Sequence, residues 1–556
     1  MVRFPATFPA FQALALLSAS ATSVSALDGS FDSREATIDS VHNALFTGLA
    51  SCRTVVSSFI ARIEAYNPTV NAIIALNPQA LNIADEIDAQ IASGNSTGAL
   101  LCIPVLLKDN YDAAGMNTTG ASRALVNNRP LVDAPTVKAL KDAGAIILGK
   151  TNLHEMALEG ISVSSLGGQT INPYDLTRTP GGSSGGSGAA IGASFAILAT
   201  GTDTVNSLRS PASANALFSF RPTRGLISRA GVIPISHTQD TLGAMARTLK
   251  DLTVALTVMS SVGYDPKDND TAAIPPSARG RDYSSDLYSG PRSLRGLRFG
   301  LLDGFWNHSA SLETTPVNNV MQAMLTELRA AGAVLVNITD PRYNAPAIAG
   351  ALDVQRYEYR ELVDAYLAAT PGSPRPQTLK ELYAPGDKDF VVLPSGYEYV
   401  TTSLVSSTGN SSYFARQRGI QTLKQALEAT FAANDLDAVI YPEQKNLVVK
   451  IGAASQAGRN GILAALTGVP VVVVPAGFSE PSEEAPVGVP VGMEILGRPW
   501  SEGALLGIAR RVAELVPARR MPPWVDRFVE GKRYESVPVV KPDTTRIPGA
   551  YPLGVL

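Results

Sequence analysis

A segment rich in glycine and serine, residues 180–211, constrains the fold of this chain more than any other. It begins Pro-Gly-Gly-Ser-Ser-Gly-Gly-Ser-Gly and ends Gly-Thr-Asp-Thr-Val-Asn-Ser-Leu-Arg-Ser-Pro. Residues 189–198, between these two turns, are small or apolar and can pack tightly as a buried helix or strand. Because glycine lets the backbone approach a ligand closely, a serine in such a turn is a candidate nucleophile.

A serine hydroxyl is a weak nucleophile without a base, so the sequence must supply one. Residues 181–185 fit the Gly-x-Ser-x-Gly turn of lipase-type enzymes, which follows a hydrophobic strand and uses a histidine. The preceding residues 173–180 have the composition of a loop, however, and none of the four histidines lies in a recognisable triad context. The sequence therefore disfavours the lipase-type interpretation.

Lysine offers a better base. The apolar run 101–107 ends in Lys108-Asp109-Asn110. A lysine at the end of a buried strand is desolvated, and desolvation favours the neutral form that can take a proton from serine. The alternative is a lysine whose side chain extends out of the core to solvent, and Lys108 considered alone favours that alternative.

Together these segments resemble the amidase signature family. The family pattern has a Gly-Gly-Ser-Ser-Gly-Gly loop, then Gly-x-Asp-x-Gly-Gly-Ser-x-Arg-x-Pro, and upstream an apolar strand that ends in Lys-Asp. This chain matches the pattern at residues 181–186, 201–203, 207–211 and 103–109. Ser207 follows Ser183 by 24 residues, which is the family's separation between its nucleophile and its bridging serine. The similarity covers most of residues 35–515.

The resemblance implies a role for each of these residues. Ser207 would be the nucleophile, Lys108 the base, and Ser183 the bridge between them, preceded by a cis peptide bond. The oxyanion hole would consist of the backbone N–H groups of Thr204, Val205, Asn206 and Ser207. The implied activity is hydrolysis of a linear, non-peptide carboxamide through an acyl-enzyme intermediate, without a cofactor.

One position departs from the family pattern. The family has two glycines, or at least one, before the nucleophile, whereas this chain has Val205-Asn206. Asparagine adopts a positive φ more readily than most residues, but valine does so only at a cost. We expect an active enzyme with an altered pocket. The alternative is a catalytically impaired, secreted binding protein.

The order of helical and extended patterns predicts an α/β fold. Two amphipathic helices are expected in residues 37–66, ending at Asn67-Pro68, and the first strand is expected at 103–107. A helix at 136–143 and a strand at 145–148 follow. This alternation favours a sheet covered by helices on both faces.

The resemblance adds that the sheet is mixed and that the chain forms one large domain, residues 27–556. Its expected parts are a signature core at about 100–250, a variable middle section at about 265–430, C-terminal core strands and a helix at about 431–516, and a surface tail at 517–556. Within the middle section, a long helix is expected over 351–368 and irregular structure over 369–412.

The first 26 residues have the features of a secretory signal peptide. Arg3 supplies positive charge, residues 8–17 are mostly apolar, and Val24-Ser25-Ala26 fits a cleavage site. Six glycosylation sequons agree with secretion, and their asparagines are Asn95, Asn117, Asn269, Asn307, Asn337 and Asn410. In an oxidising compartment Cys52 and Cys102 would either pair or remain buried thiols, and the sequence leaves both open.

The composition narrows the range of partners. A net charge of −3 gives no electrostatic footprint for nucleic acid, and no run after the signal peptide is long and apolar enough to span a bilayer. Four scattered histidines and two cysteines suggest no metal site. The expected partner is a small-molecule amide substrate, and the oligomeric state stays open. The alternative enzyme is a transamidase subunit that acts on glutamyl-tRNA, but its intracellular setting disagrees with a signal peptide.

Overall fold

The computed structural model describes residues 30–95, 97–370, 375–384 and 394–551. The predicted signal peptide, residues 1–26, lies outside these ranges. The strands are β1 (Ile73–Leu76), β2 (Pro104–Lys108), β3 (Ile146–Thr151), β4 (Val163–Ser164), β5 (Gly168–Gln169), β6 (Leu198–Asp203), β7 (Phe218–Arg221), β8 (Thr241–Ala246), β9 (Arg298–Leu302), β10 (Val334–Ile338), β11 (Ala438–Pro442), β12 (Val471–Phe478) and β13 (Pro490–Leu496).

The helices are interspersed with these strands along the sequence. They are α1 (Ile38–Phe46), α2 (Cys52–Val70), α3 (Ala80–Ala92), α4 (Pro135–Asp142), α5 (Gly185–Gly192), α6 (Arg209–Ala214), α7 (Leu249–Ser260), α8 (Tyr283–Ser289), α9 (Thr315–Ala330), α10 (Ala345–Leu352), α11 (Gln355–Ala369), α12 (Leu379–Leu382), α13 (Pro394–Val405), α14 (Ser411–Ala433), α15 (Ile462–Thr467) and α16 (Glu502–Leu515). Of those in the described ranges, none is both long and apolar enough to cross a bilayer.

One mixed sheet of eleven strands organises the molecule. Its strand order is β1-β3-β2-β6-β8-β7-β12-β13-β11-β9-β10, and β4 and β5 form a separate pair. Strand β2 is parallel to β3 and β6, β9 is parallel to β10 and β11, and the other pairs are antiparallel. Helices α5, α6, α7, α9 and α16 pack against the sheet. The chain is therefore a single α/β domain with a large mixed sheet flanked by helices, as the sequence predicted.

Two neighbouring inner strands of the sheet, β2 and β6, position the predicted site. Every residue of β2 is buried, as an unbroken apolar run predicts for a strand covered on both faces. Because β2 and β6 are parallel neighbours, their carboxyl ends lie side by side. Those ends carry Lys108 and Asp203, and the loop 204–207 follows directly. The carboxyl ends of strands are the usual place for ligand sites in α/β sheets.

Near the N-terminus two expectations are wrong. The first strand is β1, which precedes the run at 103–107 and, at four residues, is too short for alternation to reveal. Helix α2 does not end at Asn67-Pro68 but continues to Val70. It ends there because Asn71 adopts the left-handed conformation, with φ of 52°, that closes many helices.

In the middle section one expectation is confirmed in part and another is wrong. The long helix expected over 351–368 is α11, which begins only at Gln355, after a break at Asp353 and Val354 that follows α10. The segment 369–412, expected to be irregular, contains α12 and α13 in its described residues. Polar residues on short helices weaken the periodic signal that would have marked them.

Cys52 and Cys102 form a disulfide, so the free-thiol alternative is wrong. The bond joins the first residue of α2 to the segment that leads into β2, across a sequence separation of 50 residues. It therefore ties helix α2 to the strand that ends in Lys108.

Replacing both cysteines with alanine is expected to lower the free energy of unfolding by about 2–4 kcal/mol, because the reduced chain gains loop-closure entropy in its unfolded state. Urea denaturation of the wild type and the double variant measures this difference. Each single alanine variant serves as a control and should lose nearly as much as the double variant. A double variant as stable as the wild type would contradict the prediction.

Candidate active site

Lys108 lies at the heart of the predicted site. Its side chain is fully buried, and its Nζ lies 2.8 Å from Ser183 Oγ and 2.7 Å from Thr202 Oγ1. The alternative in which Lys108 reaches solvent is therefore wrong. Burial lowers the pKa of Lys108 to about 7, although Asp203 and Asp240 oppose the shift. A lysine with this pKa is partly neutral near pH 7 and can accept a proton from a hydroxyl group in contact with it.

Ser183 belongs to the loop that leads into α5, and this loop is closely held. The peptide bond between Gly182 and Ser183 is cis. Ser162 Oγ donates to Gly181 O at 2.7 Å and accepts from the Gly185 N–H at 3.1 Å. A Cβ atom at Gly185 would overlap Ser162 Oγ, so this approach requires glycine. The position of the Ser183 hydroxyl is thus fixed by the glycine-rich loop around it.

The loop 204–207 joins β6 to α6, and the carbonyl groups along it accept hydrogen bonds from other residues of the protein. Four consecutive carbonyl oxygens accept hydrogen bonds: Asp203 O from Arg221, Thr204 O from Gln239, Val205 O from Arg209, and Asn206 O from the backbone N–H groups of Arg209 and Ser210. A trans peptide directs its N–H opposite to its carbonyl. The N–H groups of residues 204–207 therefore point away from these partners.

These N–H groups are unpaired within the described part of the protein. Within the described ranges, none of the N–H groups of Thr204, Val205, Asn206 and Ser207 has a hydrogen-bond acceptor in the protein. Consecutive unpaired donors beside a serine can stabilise the negative charge on a tetrahedral intermediate. The arrangement is thus able to serve as an oxyanion hole.

The unusual Val205-Asn206 pair fits this loop without left-handed backbone. Neither residue has a positive φ, so the cost that valine would incur there does not arise. Space for the Asn206 side chain comes from Gly461, where an added Cβ atom would lie 2.6 Å from Asn206 Cβ. The departure from the family pattern is therefore matched by a glycine on a distant segment.

Of the three predicted catalytic residues, Lys108, Ser183 and Ser207, it is Ser207 that faces open space. It lines a cavity of about 460 Å³, together with Thr204 and Val205. Lys108 and Ser183 are completely buried and do not line that cavity. The Ser207 carbonyl accepts a hydrogen bond of 3.2 Å from the Ser184 N–H, so the two serine-bearing loops are in direct contact.

The cavity has both apolar and charged walls. Its apolar residues include Leu158, Val205, Ala345, Ala349 and Ile462, and its charged residues are Glu159, Asp353, Arg356, Lys445 and Arg459. Arg459 is paired with Glu159 at 3.0 Å. Lys445 Nζ donates to Gly304 O at 2.7 Å, and burial lowers its pKa. A small organic molecule with both apolar and polar parts would suit such a cavity.

A buried ionic network supports the loop 204–207 from behind. Arg209 contacts Asp203 at 3.0 Å and Glu494 at 2.8 Å, and Arg221 contacts Asp203 at 2.7 Å. All four side chains are buried. Although burial opposes it, pairing with the two arginines lowers the pKa of Asp203 below its ordinary value. Arg209 thus holds both the network and the Val205 carbonyl.

The structure also locates the other predicted residues and adds some that the sequence did not suggest. Five sequon asparagines are exposed and one, Asn307, is partly exposed. No histidine side chain is hydrogen-bonded to Ser183 or Ser207 in the described residues. Thr202, which contacts Lys108, lies inside the Gly-x-Asp motif and could have been noticed there. Glu443, which contacts Asn206, had no local signal.

Amidase signature enzymes have a mixed β-sheet flanked by helices, with the serine-rich loops near the carboxyl ends of its strands. The chain belongs to this family, since the family's sequence model, described as Amidase, matches residues 54–506. It is 32% identical over 513 residues to a glutamyl-tRNA(Gln) amidotransferase subunit of Alkalilimnicola ehrlichii, covering 88% of this chain and 99% of that protein. The same subunit of Thermoanaerobacter pseudethanolicus is 31% identical over 500 residues, with 85% and 95% covered.

Among solved structures, the chain is similar to native peptide amidase from Stenotrophomonas maltophilia. The TM-score is 0.75 and the sequence identity 32%, and the match covers 88% of this chain and 99% of that one. These similarities support amide hydrolysis or transamidation as the type of activity.

Proposed function

We propose that this protein hydrolyses the C–N bond of a small carboxamide through an acyl-enzyme intermediate on Ser207. One observation carries the proposal: Lys108 Nζ lies 2.8 Å from Ser183 Oγ, with the lysine fully buried. This contact supplies a base that can be neutral, beside a hydroxyl group that can pass a proton onward. Ser207 is the adjoining serine that a substrate in the cavity can reach.

These positions support the following mechanism. Ser207 Oγ attacks the amide carbonyl carbon while its proton passes through Ser183 to Lys108. The N–H groups of the loop 204–207 bind the resulting oxyanion, each such donor typically contributing about 3 kcal/mol. The C–N bond then breaks, and the proton returns through Ser183 to the leaving ammonia or amine. Water hydrolyses the acyl-enzyme by the reverse proton path.

The size and lining of the cavity support a small amide or the terminal amide of a peptide as substrate. Similarity to a peptide amidase over nearly its whole length agrees with that class. The second candidate is transamidation, which the similarity to amidotransferase subunits favours. Release of a free carboxylic acid by this chain alone would support hydrolysis over transamidation.

We further propose that the protein is a secreted glycoprotein. The Cys52–Cys102 disulfide is typical of proteins from oxidising compartments. Solvent access at all six sequon asparagines is compatible with glycosylation. A gel shift on treatment of protein from the culture medium with an endoglycosidase would support this. Retention of the protein inside the cell, without glycans, would contradict it.

Reaction with a fluorophosphonate probe, followed by mapping of the labelled peptide, tests the proposed nucleophile. We expect labelling at Ser207 and its complete loss in Ser207→Ala. Ser210→Ala is a matched control, because Ser210 lies on the adjoining helix with a buried hydroxyl that has no partner within the described residues. Labelling at Ser183 would favour the lipase-type interpretation, and no labelling of the folded protein would favour a binding protein. Incubation with a panel of carboxamides then identifies substrates by the acid released.

A further inference from the structure

A buried glutamate, Glu443, contacts the loop 204–207 from the far side of the cavity wall. It directly follows β11, and its Oε1 accepts a hydrogen bond of 3.1 Å from Asn206 Nδ2. The Glu443 N–H donates to Gly492 O at 3.0 Å, and its carbonyl accepts from the Asn460 N–H at 3.2 Å. The backbone of Glu443 is thus held on both sides, so its carboxyl group is a fixed partner for Asn206.

The charges around Glu443 favour its protonated form. The charged and titratable groups that face it are Asp203, Arg209, Tyr441 and Glu494. Together with Arg221, the cluster holds two guanidinium groups and three carboxyl groups. Both guanidinium groups pair with Asp203, and Arg209 also pairs with Glu494. One proton on Glu443, which neither arginine contacts, makes the cluster neutral. Burial, and then Glu494, raises the pKa of Glu443 to about 8.

Two unpaired oxygen atoms between Glu443 and Asn206 also favour a protonated Glu443. Asn206 Oδ1 and Glu443 Oε2 are both buried and have no hydrogen-bond partner in the described part of the chain. An ionised carboxylate only accepts hydrogen bonds, whereas a carboxylic acid also donates one. A protonated Glu443 can therefore donate to Asn206 Oδ1 while it accepts from Asn206 Nδ2. An ionised Glu443 leaves both oxygen atoms buried and unpaired, which is costly.

We propose that Glu443 and Asn206 form a carboxylic acid–amide pair that positions the loop 204–207, and that loss of the Glu443 proton at alkaline pH lowers activity. The proposal rests on the proposed function, since it concerns the same loop. Ionisation would break the second hydrogen bond of the pair and place a negative charge behind the N–H groups that bind the oxyanion. Both effects weaken stabilisation of the transition state. Glu443 is thus a positioning residue that acts through Asn206.

The pH dependence of Ser207 labelling by the fluorophosphonate probe tests this pair. We expect the wild-type rate to rise through pH of about 7 as Lys108 becomes neutral, and to fall above about 8 as Glu443 ionises. Glu443→Gln keeps the shape and a donor–acceptor pair but has no proton to lose. We expect it to label at a plateau rate within about 3-fold of the wild type, without the alkaline fall.

Two further variants separate positioning from general stability. Glu443→Ala should lower the plateau rate about 10-fold or more, since the loop loses its partner. The Asn206→Gly/Glu443→Ala double variant should label no more slowly than Asn206→Gly alone, because the effect of Glu443 passes through Asn206. Glu502→Gln is the matched control: Glu502 is another buried carboxyl group, bonded to the Thr223 N–H, and its replacement should leave the alkaline fall unchanged.

An alkaline fall that persists in Glu443→Gln would overturn the proposal, as would a Glu443→Ala variant that labels like the wild type at every pH. Both results would leave the proposed function intact, because Ser207 would still react. A folded wild-type protein that shows no labelling at any pH would instead overturn the proposed function and this pair with it.

Discussion

Replacing Lys108 with alanine is expected to lower the rate at which Ser207 reacts with a fluorophosphonate about 1,000-fold, within the range that general-base catalysis supplies. The variant lacks the only group that contacts Ser183 Oγ in the described residues and that can accept its proton. Stopped-flow or gel-based labelling rates measure the loss. Circular dichroism should show an unchanged fold, because alanine leaves no buried charge behind.

The Lys108→Arg variant distinguishes the role of Lys108 as a base from the effect of its positive charge. Arginine keeps a cation and hydrogen-bond donors at the same place but does not lose its proton in proteins, so we expect this variant to be as slow as Lys108→Ala. In the wild type the rate should rise with pH through about 7, where Lys108 becomes neutral. An active Lys108→Arg variant would show that charge, rather than proton transfer, is what this position provides.

Replacing Arg209 with leucine is expected to lower the free energy of unfolding by about 5 kcal/mol, at the upper end of the range for breaking a buried ion pair. The change leaves Glu494 without a cation and Asp203 with Arg221 alone, all inside the core. It also releases the Val205 carbonyl, so the loop 204–207 should loosen. Thermal or urea unfolding of purified protein measures the effect.

The exposed ion pair of Lys138 and Asp142 serves as a control for the loss of stability expected in Arg209→Leu. These side chains are 67% and 61% exposed, and their contact is an i,i+4 pair on α4. Lys138→Ala should change stability by about 0.5 kcal/mol or less, as for most exposed pairs. Equal effects at Lys138 and Arg209 would mean that the buried network contributes far less than its burial implies.

The sequence allowed the α/β fold and the residues near the site to be predicted where the signal is local or where the family pattern supplies it. The apolar run before Lys108 is such a signal, since a strand covered on both faces has no polar side to break it. The positions of Ser183 and Ser207 came from the family's spacing. The structure brings Lys108 and Ser183 into contact and joins the Ser207 backbone to the neighbouring loop through Ser184, while the catalytic roles of these residues stay predictions.

Contacts between distant segments could not be predicted in this way. Asn206 and Glu443 are 237 residues apart, and nothing near Glu443 marks it as a partner of the loop 204–207. The same holds for Gly461, whose missing side chain matters only because Asn206 lies against it. Such matches depend on how the segment after β11 meets the loop after β6, although four strands separate β6 from β11 in the sheet.

Under the proposed mechanism, Lys108 and Ser183 transfer protons from buried positions, apart from the side chains of the cavity wall that would select the substrate. Of Lys108, Ser183 and Ser207, only Ser207 lines the cavity. The rest of the cavity wall comes largely from residues 345–356 and 455–462. Substitutions at Ala349 or Ser455 would reshape the space for a substrate without touching the proton path. An evolving lineage, or a protein engineer, can therefore change which amide is accepted one side chain at a time while the chemistry stays constant.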